Sequence, residues 1–170
     1  EERLLVSHIP GTTRDAVDTL CRVDGKPYLL IDTAGIRRKG KVSQKIEKFS
    51  IIKALRSLER CEVALVTIDA FDGITDQDIT IAGYAHDRGC GCVFLLNKWD
   101  LIEKETRTAE EFTSTIEEKL GPLNYIPVIF ISVLKKQRIF KVVERALQVY
   151  DNRNRKVSTS ELNKLLLPII

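Results

Sequence analysis

No Gly-x-x-x-x-Gly-Lys-Ser/Thr stretch occurs in these 170 residues. That pattern supplies the backbone N–H groups and the lysine that cradle β- and γ-phosphates, so this chain carries no phosphate loop of that kind. No apolar run reaches the length of a membrane span. The first residues, Glu1-Glu2-Arg3, do not begin a signal peptide. There is no internal repeat and no low-complexity tract. The four cysteines, at 21, 61, 90 and 92, include no Cys-x-x-Cys pair. Cys90 and Cys92 fall on one side of a strand that starts there, but two thiols without a nearby histidine are weak metal ligands. Free buried thiols in a reducing compartment are the expectation. The two histidines, His8 and His86, read as surface residues.

What is present fits one compact domain. The apolar fraction of 44% is ordinary, and the length suffices for a sizeable core. The net charge is only +3, yet it is uneven. Residues 37–60 hold nine basic and two acidic side chains, net +7, and residues 135–156 hold eight and two, net +6, which leaves −10 elsewhere. Clustered positive charge can dock phosphate backbones, and a solvated helix face is the plainer alternative.

Strands and helices alternate along the chain. Residues 16–23 alternate polar and apolar as an edge strand does. Asp24-Gly25 makes a tight turn, and residues 26–31 return antiparallel. Ser43 can cap a helix over about 44–58. Strands are expected at 63–68, 91–96 and 128–131, and helices at 76–88, 109–120 and 136–150. The β-α alternation calls for parallel strands with helices on both faces, an α/β fold. Residues 151–158 read as a linker, and Thr159-Ser160-Glu161-Leu162 as the start of another helix.

Three motifs sit in this frame. Asn97-Lys98-Trp99-Asp100 closes the apolar run from Cys92 to Leu96. A carboxylate just past a buried strand can accept two hydrogen bonds from guanine N1–H and N2–H2. Adenine lacks that donor pair and would leave buried acceptors unsatisfied, a strong source of discrimination. The Asn97 amide can tie neighbouring loops together, and the Lys98 stem can lie along the base. Asp32-Thr33-Ala34-Gly35 stands 65 residues upstream, after the run Tyr28-Leu29-Leu30-Ile31. A strand-end Asp can hold Mg²⁺ through water, and Gly35 lets its N–H approach a γ-phosphate closely. In Gly11-Thr12-Thr13-Arg14-Asp15, a threonine hydroxyl can complete the Mg²⁺ shell only while the γ-phosphate is present, which makes an order–disorder switch. Together the three point to a GTP-hydrolysing domain. The competing reading is a plain α/β domain with chance matches.

The stretches PGTTRD, DTAGIRRKGKV, IEKFSIIKALRSLERCEVALVTIDAFDGIT and NKWDL resemble the second GTPase domain of the EngA (Der) family of bacterial ribosome-assembly GTPases. The resemblance runs from about Val6 to Leu162 and is most distinctive over residues 37–60. The Era and tRNA-modifying MnmE families share the shorter motifs but match less well over that stretch. It implies a P-loop NTPase fold of the Ras-like type, with a mostly parallel sheet and helices on both faces. The phosphate loop and central first strand of the family lie upstream of residue 1, so the chain is expected to be a fragment that alone binds GTP poorly or not at all. Residues 1–150 would be the GTPase domain, incomplete at its N-terminus, and 151–170 a linker and the start of a KH-like domain.

The resemblance also implies site residues. Asp32, Thr33, Ala34, Gly35 and Ile36 would face the phosphates, and Asn97, Lys98, Trp99 and Asp100 the base. Ser132, in Ser132-Val133-Leu134, would contact guanine where the family usually has Ala after the Ser. Thr13 and Asp32 would hold Mg²⁺, and Thr13 and Gly35 would serve the reaction. Ile36 stands where Ras-type proteins place a water-orienting Gln. That marks a hydrophobic-substituted GTPase in which K⁺ can stabilise charge, with Ser7, Ile9 and Thr12 as its oxygen donors. Arg14 and Asp15 would shape the switch loop. The implied ligands are GTP or GDP, Mg²⁺ and K⁺. The implied partners are the large ribosomal subunit and its rRNA, and the protein's own first GTPase and KH-like domains, in the cytoplasm. A related GTPase of tRNA modification, or a non-catalytic RNA-binding fragment, remains the alternative.

Overall fold

The computed structural model describes residues 17–23, 25–32, 55–103 and 108–169. Strand β1 (Val17–Val23) pairs antiparallel with β2 (Lys26–Asp32), from Val17 opposite Asp32 to Val23 opposite Lys26. Gly25 takes φ +77 in the turn between them, a left-handed conformation that glycine reaches without steric cost. Of the helix expected over 44–58, residues 55–58 are described and are helical; the rest lies outside the described residues.

The second sheet is parallel, in the order β3 (Val63–Asp69), β4 (Gly91–Asn97), β5 (Val128–Phe130). The crossovers are helices α1 (Asp76–Asp87) and α2 (Thr108–Leu120), and α3 (Ile139–Asn154) follows β5. A parallel β4 flanked on both sides must be apolar on both faces, and its interior residues 92–96 are all buried. Phe94, Leu96 and Cys92 point to one face and pack with Ala82 and Ala85 of α1 and Ile116 and Leu120 of α2. Val93 and Leu95 point to the other and meet Ile129, Ile131 and Val142 of α3. Helices therefore cover both faces. Among the described residues no strand pairs with the outer edge of β3 or of β2, and the two sheets are separate. Among the described residues this is the expected α/β arrangement, a parallel sheet with helices on both faces.

Gly91 fixes how closely α3 can approach. A Cβ there would lie 2.6 Å from Val149 Cγ1 and 3.3 Å from Val63 Cγ2. Two boundaries differ from the sequence expectation. Helix α3 begins at Ile139 rather than 136, because Lys136 (φ 54) and Arg138 (φ 59) are left-handed and Ser132 bridges to Gln137. It also runs on to Asn154, so the non-helical linker shrinks to residues 155–158. A short helix α4 (Thr159–Leu166) follows, capped by Ser158, whose Oγ accepts the Glu161 N–H at 3.2 Å while Glu161 Oε2 accepts the Ser158 N–H at 3.2 Å. Among the described residues no helix is long and apolar enough to cross a membrane.

Candidate guanine-nucleotide site

Open parallel sheets bind ligands beyond the carboxyl ends of their strands. Here those ends are Asp69 of β3, Asn97 of β4 and the loop after β5. Asn97 joins all three. Its carbonyl oxygen accepts the Ala70 N–H at 2.9 Å, and its side-chain Oδ1 accepts the Val133 N–H at 3.1 Å. The Trp99 N–H donates to Ile131 O at 3.1 Å, a second tie between the same two loops.

Lys98 has φ 64, a left-handed backbone uncommon for a residue with a side chain. This turns the chain sharply at the end of β4, and Lys98 Nζ reaches Asp69 Oδ2 at 2.6 Å. The hydrogen bond to Asp69 and its charge hold the ammonium above the usual lysine range. Asp69 Oδ1 meanwhile accepts the Phe71 N–H at 3.0 Å, shaping the loop that leads to α1. The Lys98–Asp69 pair is not indicated by the sequence motif. The signal available was only that Asp69 ends one strand and Lys98 follows the end of the next.

Trp99 is 4% exposed, and its ring lies in the core. It meets Phe130 at 4.3 Å and Phe112 edge-on at 5.3 Å between centroids. Its link to the site is through its backbone and through where its burial sets the next residue. That residue, Asp100, is half-buried, and its carboxylate makes no hydrogen bond to another described residue. A carboxylate so placed is an acceptor in want of donors.

Ser132 is fully buried. Its Oγ accepts the Lys135 N–H at 3.0 Å and its carbonyl accepts the Gln137 N–H at 2.9 Å. Ser132 thus braces the turn from inside, while Val133 and Leu134 are exposed, at 57% and 83%. The outward part of this loop is backbone and the two apolar side chains. His86 is exposed, with Nδ1 2.7 Å from Tyr125 Oη.

Asp32 ends β2, and only its backbone position is described. Ser7, His8, Ile9, Thr12, Thr13, Arg14, Asp15, Thr33, Ala34, Gly35 and Ile36 lie outside the described residues, and with them the expected Mg²⁺ and K⁺ donors. Among the described residues no three His, Cys, Asp or Glu side chains cluster as a metal site would require.

Residues 1–98 match the family described as 50S ribosome-binding GTPase. The chain is 49% identical over 166 residues to the GTPase Der of Caldanaerobacter subterraneus subsp. tengcongensis, covering 98% of this chain and 38% of that protein. It is 51% identical over 166 residues to the GTPase Der of Ruminiclostridium cellulolyticum, with the same shares covered. It therefore spans little more than a third of the length of these curated relatives. A structure of Era in complex with MgGDPNP and nucleotides 1506-1542 of 16S ribosomal RNA superposes with TM-score 0.71 at 25% identity, covering 86% of this chain and 48% of that one. A probable GTP-binding protein engB superposes with TM-score 0.62 at 15% identity, over 82% of this chain and 85% of that one.

Proposed function

Because this chain belongs to the family of 50S ribosome-binding GTPases, we propose that the protein carrying it is a GTP-hydrolysing switch that acts in assembly of the large ribosomal subunit, in the cytoplasm. The observation that carries the nucleotide half is Asp100. Its carboxylate has no donor among the described residues, and the Asn97–Val133 and Trp99–Ile131 bonds hold its loop against the one after β5. Guanine N1–H and N2–H2 are the donor pair that completes it. The loop that Ser132 braces is the proposed backbone contact for guanine O6.

In this reading Thr13 and Asp32 would hold Mg²⁺, which would supply positive charge to the phosphates. Ser7, Ile9 and Thr12 would present oxygens to K⁺, in keeping with Ile36, which has no polar group to orient water. Water attacks the γ-phosphate in line, and positioning and electrostatics supply most of the acceleration. Gly35 gives the γ-phosphate a backbone N–H without steric obstruction. Loss of that phosphate releases the Thr12–Thr13 loop and the segment after Gly35. These 170 residues contain no phosphate-loop pattern, so nucleotide affinity is to be tested on the full-length protein.

The ribosomal half rests on the family and on charge. Lys135, Lys136, Lys141 and Arg145 are exposed on the loop after β5 and on α3, and none forms an ion pair with a described residue. Such cations suit an RNA backbone. The other GTPase and KH-like domains of the same protein are the remaining proposed partners. The test is a titration of fluorescent GDP and its adenine analogue against the full-length protein in K⁺ and Mg²⁺, followed by co-sedimentation with ribosomal particles. Guanine should be preferred by at least about a hundredfold, and the protein should travel with large-subunit particles. Equal binding of the two nucleotides would overturn the nucleotide reading. Selective binding without co-sedimentation would overturn the ribosomal one alone.

A further inference from the structure

Opposite the nucleotide end of the sheet, two cysteines 29 residues apart meet. Cys61 Sγ lies 3.2 Å from Cys90 Sγ. Cys61 stands just before β3 and Cys90 just before β4, and neighbouring backbone bonds hold both. The Gly91 N–H donates to Glu62 O at 2.9 Å, and the Cys90 N–H to Ala85 O at 2.8 Å. The remaining two cysteines are placed differently. Cys92 is buried in the core beneath α1 and α2, and Cys21 belongs to the separate β1–β2 hairpin.

We propose that Cys61 and Cys90 are a modification site, a dithiol that small hydroperoxides convert to a reversible intramolecular disulfide. Three features support it. The sulfurs are already in contact, so little chain movement separates thiol pair from bond. Cys61 is only half-buried, while Cys90 is 8% exposed, which admits a small oxidant and disfavours a bulky one. Lastly, the sulfur–sulfur contact with Cys61 favours the Cys90 thiolate, helped by the positive charge of Arg153, while the Cys61 thiol is pushed up. Burial pushes Cys92 up to about 12, leaving it a thiol. The thiolate is the reactive form.

The chemistry balances with the peroxide as oxidant. The Cys90 thiolate attacks one peroxide oxygen, the O–O bond breaks, and the departing hydroxide takes a proton to become water. Cys90 is left as the sulfenic acid. Cys61, having given up its proton, attacks the Cys90 sulfur; the S–O bond breaks and a second water leaves. Two thiols and one hydrogen peroxide give one disulfide and two waters. The link fastens the end of the helix that finishes at residue 58 to the start of β4. Cytosolic disulfides of this sort are usually transient and redox-sensing.

The test treats the native full-length protein with hydrogen peroxide, quenches it in acid with N-ethylmaleimide, and reads the digest by mass spectrometry. The expected product is a Cys61–Cys90 linked peptide, two hydrogens lighter than the sum of the thiol peptides, that disappears with dithiothreitol. Cys61→Ser should abolish the link and leave a Cys90 sulfenic acid that dimedone traps. A protein in which Cys61 and Cys90 both remain alkylated, or in which Cys21 or Cys92 takes the partner's place, would overturn the proposal.

Discussion

Asn97 and Val133 are joined across the open end of the sheet, the Val133 N–H donating to Asn97 Oδ1 at 3.1 Å. One side chain at the end of β4 thereby positions the backbone of the loop after β5, and Asp100 and that loop are held as a unit. Asn97→Ala removes the acceptor and leaves the Val133 N–H without it. A loss of about 1 kcal/mol is expected, roughly fivefold in GDP affinity. Titration with fluorescent GDP checks it; an unchanged affinity would show that the two loops hold their positions independently.

Trp99 separates packing from recognition. Its ring is buried against Phe112 and Phe130, so Trp99→Phe should lower stability by about 1–3 kcal/mol through the smaller volume it fills and leave GDP affinity within about twofold. Thermal unfolding and a binding titration, run on one preparation, distinguish this from a ring that stacks on the base.

Gly91→Ala should destabilise the fold by about 1–3 kcal/mol, because overpacking forces neighbours aside. The added methyl would fall 2.6 Å from Val149 Cγ1, and a β-branched side chain has little freedom to yield. Gly91→Ala combined with Val149→Ala should recover part of the loss in a denaturant titration, whereas independent effects would simply add.

The Lys98–Asp69 pair carries a pH signature of definite sign. Asp69 raises the folded-state affinity of Lys98 for its proton. The pair's contribution is therefore complete below the ordinary lysine range and is lost as pH rises through and above it. The Lys98 side chain is 55% exposed, so the contribution is under about 1 kcal/mol and shrinks with salt. Comparing Lys98→Met with the parent protein across alkaline pH checks both points; the difference should narrow as pH rises.

Charge on α3 and the loop before it predicts an RNA effect that salt can diagnose. Replacing Lys135, Lys136, Lys141 and Arg145 by glutamine should weaken rRNA binding and flatten the salt dependence by about one slope unit for each phosphate no longer neutralised. GDP binding should persist. Weaker RNA affinity with an unchanged salt slope would point to a fold defect instead.

Patterns that are local in sequence are legible there. The β1–β2 hairpin follows from alternation around Asp24-Gly25, and β4 from an apolar run too short for a helix and bounded by Gly91 and Asn97. The ties made by Asn97 are also within reach, since an amide at a strand end has few other uses. Pairings between distant residues are not. Nothing near Cys61 signals Cys90, and nothing in the NKWD string says that Trp99 turns inward while Asp100 does not. The start of α3 falls later than periodicity suggests because Lys136 and Arg138 adopt left-handed backbones that their side chains do not advertise. Ser132 shows the same limit, its hydroxyl being spent within its own turn.

The most direct test of guanine reading by Asp100 is a titration of xanthine diphosphate against the full-length Asp100→Asn protein. Xanthine carries a carbonyl where guanine carries N2–H2, so an amide that donates should match it while a carboxylate should not. The substituted protein is expected to acquire xanthine diphosphate binding that the parent lacks, a gain that any second guanine site in the protein cannot imitate. A protein that gains no xanthine affinity, with its remaining GDP affinity unchanged from the parent, would show that Asp100 does not face the base.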